Sequence, residues 1–169
     1  ALCARSVLIC AYSAHMCSYH SEENTMPDAI DLAWAAGFAD GEACISLARQ
    51  TYKDARRRPT FRLRFDVVQN HREVLLHFET CVGISGRLYA TKRTTATNRQ
   101  TYHLTYDGAA AYAVIRRLIP WLVRKRPEAQ VAMAYVERAR PGWHPGPRGC
   151  PAELWKVRES YYVKLRRMK

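Results

Sequence analysis

"LAWAAGFADGEACISL", Leu32 to Leu47, decides how the chain is read. Its first half suits a helix and carries almost no large side chains. Its second half alternates like a strand. Between them stand Asp40, Gly41 and Glu42. Pro27 and Asp28 punctuate the start of the helix, with Asp28 as N-cap, and Gly41 suits its stop. A helix whose exposed side carries Ala33, Ala36 and Gly37 lets another backbone approach closely, because nothing projects. The alternative is a helix buried tightly inside one subunit; the sequence holds one copy of the stretch, so if the helix has a twin, it must come from a second subunit. Two-fold pairing brings two Glu42 carboxylates together, which is unfavourable unless a cation sits beside them. A hard divalent ion such as Mg²⁺ suits carboxylates and phosphate oxygens.

Downstream, "ACISLARQTY" reads as a strand and "KDARRRP" as a polar, basic turn. "TFRLRFDVVQ" alternates cleanly, with Phe61, Leu63, Phe65 and Val67 on one face and Thr60, Arg62, Arg64, Asp66 and Val68 on the other. "HREVLLHFETCVG" is an amphipathic helix with Val74, Leu75, Phe78 and Val82 inward. "GRLYATKR" and "RQTYHLTYD" form a second hairpin, with Leu88, Ala90, Tyr102 and Leu104 against Arg87, Tyr89, Thr91, Thr101 and His103. "GAAAYAVIRRLIPWLVRK" is helical, with Pro120 as a break or kink, and "PEAQVAMAYVERAR" is a helix opened by Pro127. A Pro/Gly loop and a basic helix, "AELWKVRESYYVKLRRMK", complete the chain. The expected class is α+β, an αββαββα core with a four-stranded antiparallel sheet and helices on one face. Residues 1–26 form an N-terminal extension, 27–140 the core domain, and 141–169 the loop and basic helix.

The formal net charge is +12 over 169 residues and the sequence pI is about 9.8. That excess favours a polyanionic partner, nucleic acid before an anionic membrane surface. From Ile115 onward there are 14 Lys/Arg against 4 Asp/Glu, so the basic charge is unevenly placed. The opening "ALCARSVLICAYSAHMCSYH" is too broken by Arg5, Ser13, His15 and Ser18 for a transmembrane helix or a signal peptide. Cys10, His15, Cys17 and His20 fit no common zinc finger, and scattered cysteines without a C-x-x-C pair imply reduced thiols. An intracellular protein is expected, in the cytoplasm of a prokaryote or in an organelle, not secreted.

The polar faces of the two hairpins carry Ser46, Gln50, Arg62, Arg64, Asp66, Arg87, Tyr89, Thr91, Arg93, Thr101 and His103, with Tyr52, Lys53 and Arg57 at the first turn. One acid among so many basic and hydrogen-bonding groups is the inventory that base edges and phosphates require in a major groove. Carboxylates, a metal and such a platform together point to phosphodiester hydrolysis.

"AAGFADGEA", Ala35 to Ala43, resembles the signature of the LAGLIDADG homing endonucleases. Ala36, Gly37 and Asp40 match its letters, and Phe38 and Glu42 are common family substitutes. Ala35, Ala39, Gly41 and Ala43 depart from it. The resemblance covers residues 27 to 140 and implies a saddle-shaped sheet. It makes Glu42 the metal-binding acid, with the Gly41 carbonyl also able to reach the metal. Gln69 helps place the attacking water, Arg72 is the basic residue that follows, and Lys125 of "PWLVRK" supports the transition state. It further implies Mg²⁺ as cofactor, with Mn²⁺ as a substitute and Ca²⁺ binding without turnover, and no small-molecule cofactor. The partners implied are double-stranded DNA and a second copy of the chain, with no membrane. Each sheet reads one half of a long pseudo-palindromic target of about 10 base pairs per half. The chain is expected to be encoded in an intron and to cut both strands. Two rivals stand beside this reading: an RNA maturase that assists intron splicing, and a non-catalytic DNA-binding regulator of the same fold.

Overall fold

The computed structural model describes residues 28–53, 58–91, 99–139 and 150–169. The expected N-terminal extension, with its cysteines, and the expected DNA-binding residues Arg57 and Arg93 lie outside them.

Helix α1 spans Ala29–Glu42. The Asp28 side chain accepts from the Ile30 N–H at 2.8 Å, as an N-cap should. Gly41 does not stop this helix. The Ala43 N–H still donates to the Ala39 carbonyl, and only then does the backbone extend, at φ −81°, ψ 158°. The helix therefore passes into strand β1, Ala43–Gln50, without a loop. Strand β2, Thr60–Gln69, pairs antiparallel with β1 from Ala43↔Val67 to Gln50↔Thr60. Helix α2, Arg72–Val82, ends on Gly83 in the left-handed region at φ 63°. Arg117 closes that helix end, donating to the carbonyls of Val82 and Gly83. Strands β3, Arg87–Ala90, and β4, Tyr102–Asp107, complete a four-stranded antiparallel sheet in the order β1-β2-β4-β3.

Helix α3 is Ala109–Leu118, α4 is Arg126–Ala139 and α5 is Ala152–Arg167. Pro120 breaks the expected long helix: residues 119–125 form turns instead of continuing α3. Phe61, Leu63, Phe65 and Val67 of β2 are all buried, together with Ile45 and Leu47 of β1 and Leu104 and Tyr106 of β4. Leu75, Phe78, Val114, Ile115, Leu118 and Tyr135 cover them from the helices. Each such side chain contributes about 1.5–3 kcal/mol on burial, so the alternation in β2 fixes the sheet's inward face. Val74 is only half-buried, and Cys81 takes the core position on α2 instead. Ala90, expected inward, is exposed at the end of the short edge strand β3.

Helix α5 shares this core. Leu165 is buried, Trp155 and Tyr162 pack on Phe61 with ring centroids 6.3 and 5.4 Å away, and the buried Arg158 donates to the Ala139 carbonyl at 2.9 Å. Tyr135 donates to the Phe61 carbonyl at 2.7 Å, and burial pushes its phenol up to about 12. The result is an α+β fold of five helices and one antiparallel sheet among the described residues. No helix among them is long and apolar enough to cross a membrane.

Candidate functional site

The sheet's outer face takes its chemistry from register. Ser46 lies across from Arg64, and Arg64 from Asp107. One step along, Cys44 lies across from Asp66, Asp66 from Thr105, and Thr105 from Arg87. The next step places Val68 across from His103, and His103 from Tyr89. Side chains in such rows touch, and here they do so across strands. Arg64 donates to Asp107 through Nε at 2.9 Å and a second nitrogen at 3.3 Å. His103 Nδ1 is 3.0 Å from Asp66, which also accepts from the Thr105 hydroxyl. Tyr89 stacks on His103 with ring centroids 5.1 Å apart, and the Arg87 guanidinium lies 5.2 Å from the Tyr89 ring.

Asp107 is thus a second acid on this face. Continuing the period-two pattern of β4 from His103 through Thr105 to Asp107 finds it. Both acids are engaged within the sheet, and Arg62 and Arg87 belong to neither ion pair. Ser46, Thr101, His103, Arg64 and Asp66 are half-buried; Gln50, Lys53, Arg62, Arg87 and Thr91 are exposed. The Tyr52 hydroxyl lies 3.2 Å from that of Thr60, and the Thr91 N–H donates to the Thr101 carbonyl at 2.8 Å, closing the second hairpin.

At one end of this face the helix–strand junction gathers a second set of groups. Asp40 turns into the protomer. Its carboxylate accepts the backbone N–H groups of Val123 at 2.7 Å, Arg124 at 3.1 Å and Lys125 at 2.9 Å. Burial pushes this carboxyl up, but those three donors and the Lys125 charge outweigh it and hold it below the ordinary value. The Asp40 carbonyl, one of the groups left orphaned at a helix end, accepts from Lys125 Nζ and Arg124 Nε, both at 2.8 Å. α1 has no basic residue in its last turn, so these two cations also supply the charge its C-terminal dipole favours. Lys125 is 5 % exposed, and burial, with the Arg124 charge, lowers its pKa.

Glu42 is two residues beyond Asp40, hence about 200° around the helix. It is exposed where Asp40 is inward. Because Ala43 pairs with Val67, Glu42 and Gln69 lie at the same end of the β1–β2 pair. The Gln69 side-chain oxygen accepts from the Asn70 N–H at 2.9 Å, and Arg72 opens α2 in an exposed position. The fold thus brings Glu42, Gln69 and Lys125 to one end of the sheet, with Arg72 just past it. Among the described residues, no three His, Cys, Asp or Glu side chains form a metal-holding group. One exposed carboxylate beside an uncrowded Gly41 nevertheless fits a Mg²⁺ site, since that ion is commonly held by one or two carboxylates together with substrate phosphates.

The small residues of α1 divide between two faces. Ala35, Ala36 and Ala39 are fully buried within the protomer, so Ala36 does not belong to an exposed contact stripe. That stripe runs instead through Ile30, Ala33, Gly37 and Gly41, spaced three to four apart. A Cβ added at Gly37 or Gly41 would meet nothing within 4 Å. Trp34, Trp121 and Val123 are also exposed, at 39 %, 43 % and 80 %, and Val123 is on the turn that Asp40 holds.

No sequence-family model matches the chain, and no curated protein matches it. Solved structures do. I-CvuI homing endonuclease superposes with a TM-score of 0.65 in complex with its Sro1.3 target in the presence of Ca, and 0.64 with the I-CreI target in the presence of Mg. Identity is 19 %, over 83 % of this chain and 82 % of that one. The archaeal intron-encoded homing endonuclease I-Vdi141I, complexed with DNA, gives 0.65 at 18 % identity over 83 % and 84 %. The LAGLIDADG homing endonuclease I-GzeII, in complex with its DNA target, gives 0.58 at 12 % over 80 % of this chain and 43 % of that longer one. The chain has the fold of the LAGLIDADG homing endonucleases.

Proposed function

We propose that this chain is a LAGLIDADG homing endonuclease that makes a double-strand break in a long, pseudo-palindromic DNA site. The observation that carries the reading is the α1–β1 junction. It sets one exposed carboxylate, Glu42, at the end of a basic sheet face, and Asp40, two residues before it, anchors the buried Lys125. The fold shared with DNA-bound homing endonucleases supports it.

The outer face would lie in the major groove, with Arg62 and Arg87 contacting guanine edges or phosphates and Tyr89 and His103 forming a stacked wall between them. Glu42, with the Gly41 carbonyl, would hold a divalent ion, and the Ca and Mg in the I-CvuI complexes support that assignment. The ion supplies Lewis-acid stabilisation of phosphate charge. Gln69 would orient the attacking water by hydrogen bonding. Lys125, held as a cation against the Asp40 carbonyl, would offset the negative charge that builds on the phosphate, with Arg72 at the site's rim.

One protomer offers one Glu42, and the stripe Ile30, Ala33, Gly37, Gly41 offers a face that a second copy can meet closely. A homodimer would supply the second strand's cut and the second half-site. That I-GzeII is about twice as long as the matched region supports a working unit with two such folds. Intron encoding and an intracellular location belong to the same proposal.

The test is incubation of the protein with a library of intron-insertion sites in Mg²⁺, with sequencing of the cut ends, beside binding in Ca²⁺. Paired cuts at one recurring site support the reading. Tight DNA binding with no cutting in any divalent ion would leave the regulator, and preference for intron RNA over duplex DNA would leave the maturase.

A further inference from the structure

We propose that Lys169 is a second phosphate-binding cation of the cleavage centre, an inference that rests on the endonuclease reading above. Helix α5 lies beside the edge strand β1. At its start, Trp155 donates to the Pro59 carbonyl at 3.0 Å, near the far end of the β1–β2 pair. Just past its end, Lys169 Nζ lies 2.9 Å from Cys44 Sγ. The helix thus spans the strand and delivers an ammonium group to its first turn of sheet. Cys44 is half-buried between the buried Ala43 and Ile45, so it belongs to the outer face.

Ala43 is extended, so the chain runs straight from Glu42 at the end of α1 to Cys44 in β1. Their Cα atoms are about 7 Å apart along a strand. Its contact with Cys44 therefore places Lys169 beside the α1–β1 junction that carries Glu42, although 127 positions separate the two in sequence. Lys125 also interacts electrostatically with Cys44. One ammonium group rests on this thiol and a second, on Lys125, is held nearby at the Asp40 carbonyl, both beside the junction proposed to hold the metal.

A neutral thiol is a weak acceptor, and an ammonium group has three donors. An exposed lysine resting on sulfur is poised for a stronger acceptor. With DNA on the outer face, a backbone phosphate oxygen at the α1–β1 junction would be such an acceptor. Lys125 is buried and tied to the Asp40 carbonyl, whereas Lys169 is exposed and can follow the phosphate. Lys169 would bind a non-bridging oxygen and offset the repulsion between Glu42 and the DNA backbone.

The experiment compares wild type with Lys169→Met, Lys169→Arg and Lys156→Met. Lys156 pairs with Glu153 near the other end of α5 and serves as the control. Equal urea midpoints first show that all four fold alike. DNA binding is then measured without divalent ion across a salt series. Lys169→Met should flatten the slope of log K against log salt by about 0.9 per protomer, the value for one lost phosphate contact. Single-turnover cleavage in Mg²⁺ should slow roughly ten- to a hundredfold, at or below the loss expected for one charge-stabilising donor because Lys169 is exposed. Lys169→Arg should recover the slope, and Lys156→Met should match wild type in rate. If wild type cuts DNA and Lys169→Met matches it in slope and rate, this inference alone falls. If wild type neither binds nor cuts DNA, the endonuclease reading falls and takes this one with it.

Discussion

Asp40 offers the sharpest test of how the site is held. Its carboxylate fixes three consecutive backbone N–H groups, at 2.7, 3.1 and 2.9 Å. A hydrogen bond to a charged group contributes about 1.5–3 kcal/mol, but these bonds are partly exposed and water can replace some of them. Loss of a helix-capping side chain costs about 0.5–2 kcal/mol, so Asp40→Ala, which frees three donors, should cost about 2–3 kcal/mol. Asp40→Asn keeps one acceptor oxygen and loses the charge, and should cost about half as much. Urea unfolding at fixed protein concentration should show a lower midpoint with an unchanged slope.

The pH dependence follows from the same bonds. The folded carboxyl titrates below its ordinary 3.8, so the unfolded state binds the proton more readily. Its contribution is therefore present above that value and lost as pH falls through the depressed folded one. Wild type and Asp40→Asn should differ most near neutrality and converge in acid. Cleavage should weaken as well, because the turn that carries Lys125 loses its anchor. If Asp40→Ala unfolds within about 0.5 kcal/mol of wild type, the ordinary range for an uninvolved surface change, the clamp does not operate.

Glu42→Gln should abolish metal-dependent cutting and leave binding intact or tighter; a cleavage assay beside a gel shift in Ca²⁺ checks both, and wild-type cutting would move the metal site elsewhere. Arg62→Ala and Arg87→Ala should each cost about 1–3 kcal/mol and relax preference at one position per half-site where the residue reads a base. Binding-site selection on each variant reports it, and unchanged selectivity with an unchanged salt slope would remove both residues from the interface. Gly37→Leu should fold normally, since its Cβ meets nothing within 4 Å, yet sediment as a monomer and lose double-strand cutting. A dimer by sedimentation would place the contact on another face.

The strands were legible because each buries one face. The alternation of Phe61, Leu63, Phe65 and Val67 is enforced by a core that a one-residue slip would empty. The helix ends were less legible. Gly41 has the residue type of a stop, yet the helix continues through it, because the Asp40 carbonyl near its end is satisfied by Lys125 and Arg124 from 85 and 84 positions away. Periodicity within one segment carries no information about such a partner. Ala36 was misplaced for a related reason: alanines on the inward and outward sides of α1 are the same residue, and only packing against the sheet tells them apart. Cys44 and Lys169 were invisible as a pair, since neither forms a motif and only the path of α5 joins them.

The spacing Asp40-Gly41-Glu42 accounts for the end of the small-residue helix α1. Two carboxylates two positions apart on a helix must diverge by about 200°. One can therefore brace the protomer while the other stays available at its surface. The intervening residue points to a third direction, along the open stripe with Ala33 and Gly37. In the proposed dimer a side chain there would stand between two copies of the helix, and glycine would leave room for their close approach. The absence of a loop before Ala43 then matters as much as the residues. Any inserted residue would rotate Glu42 relative to both the Asp40 clamp and the β1–β2 register, and the carboxylate would no longer share an end of the sheet with Gln69 and Lys125. A one-residue insertion after Asp40 should therefore eliminate cutting while leaving the sheet's DNA affinity, and retained cutting by that variant would show that the junction does not set the geometry of the site.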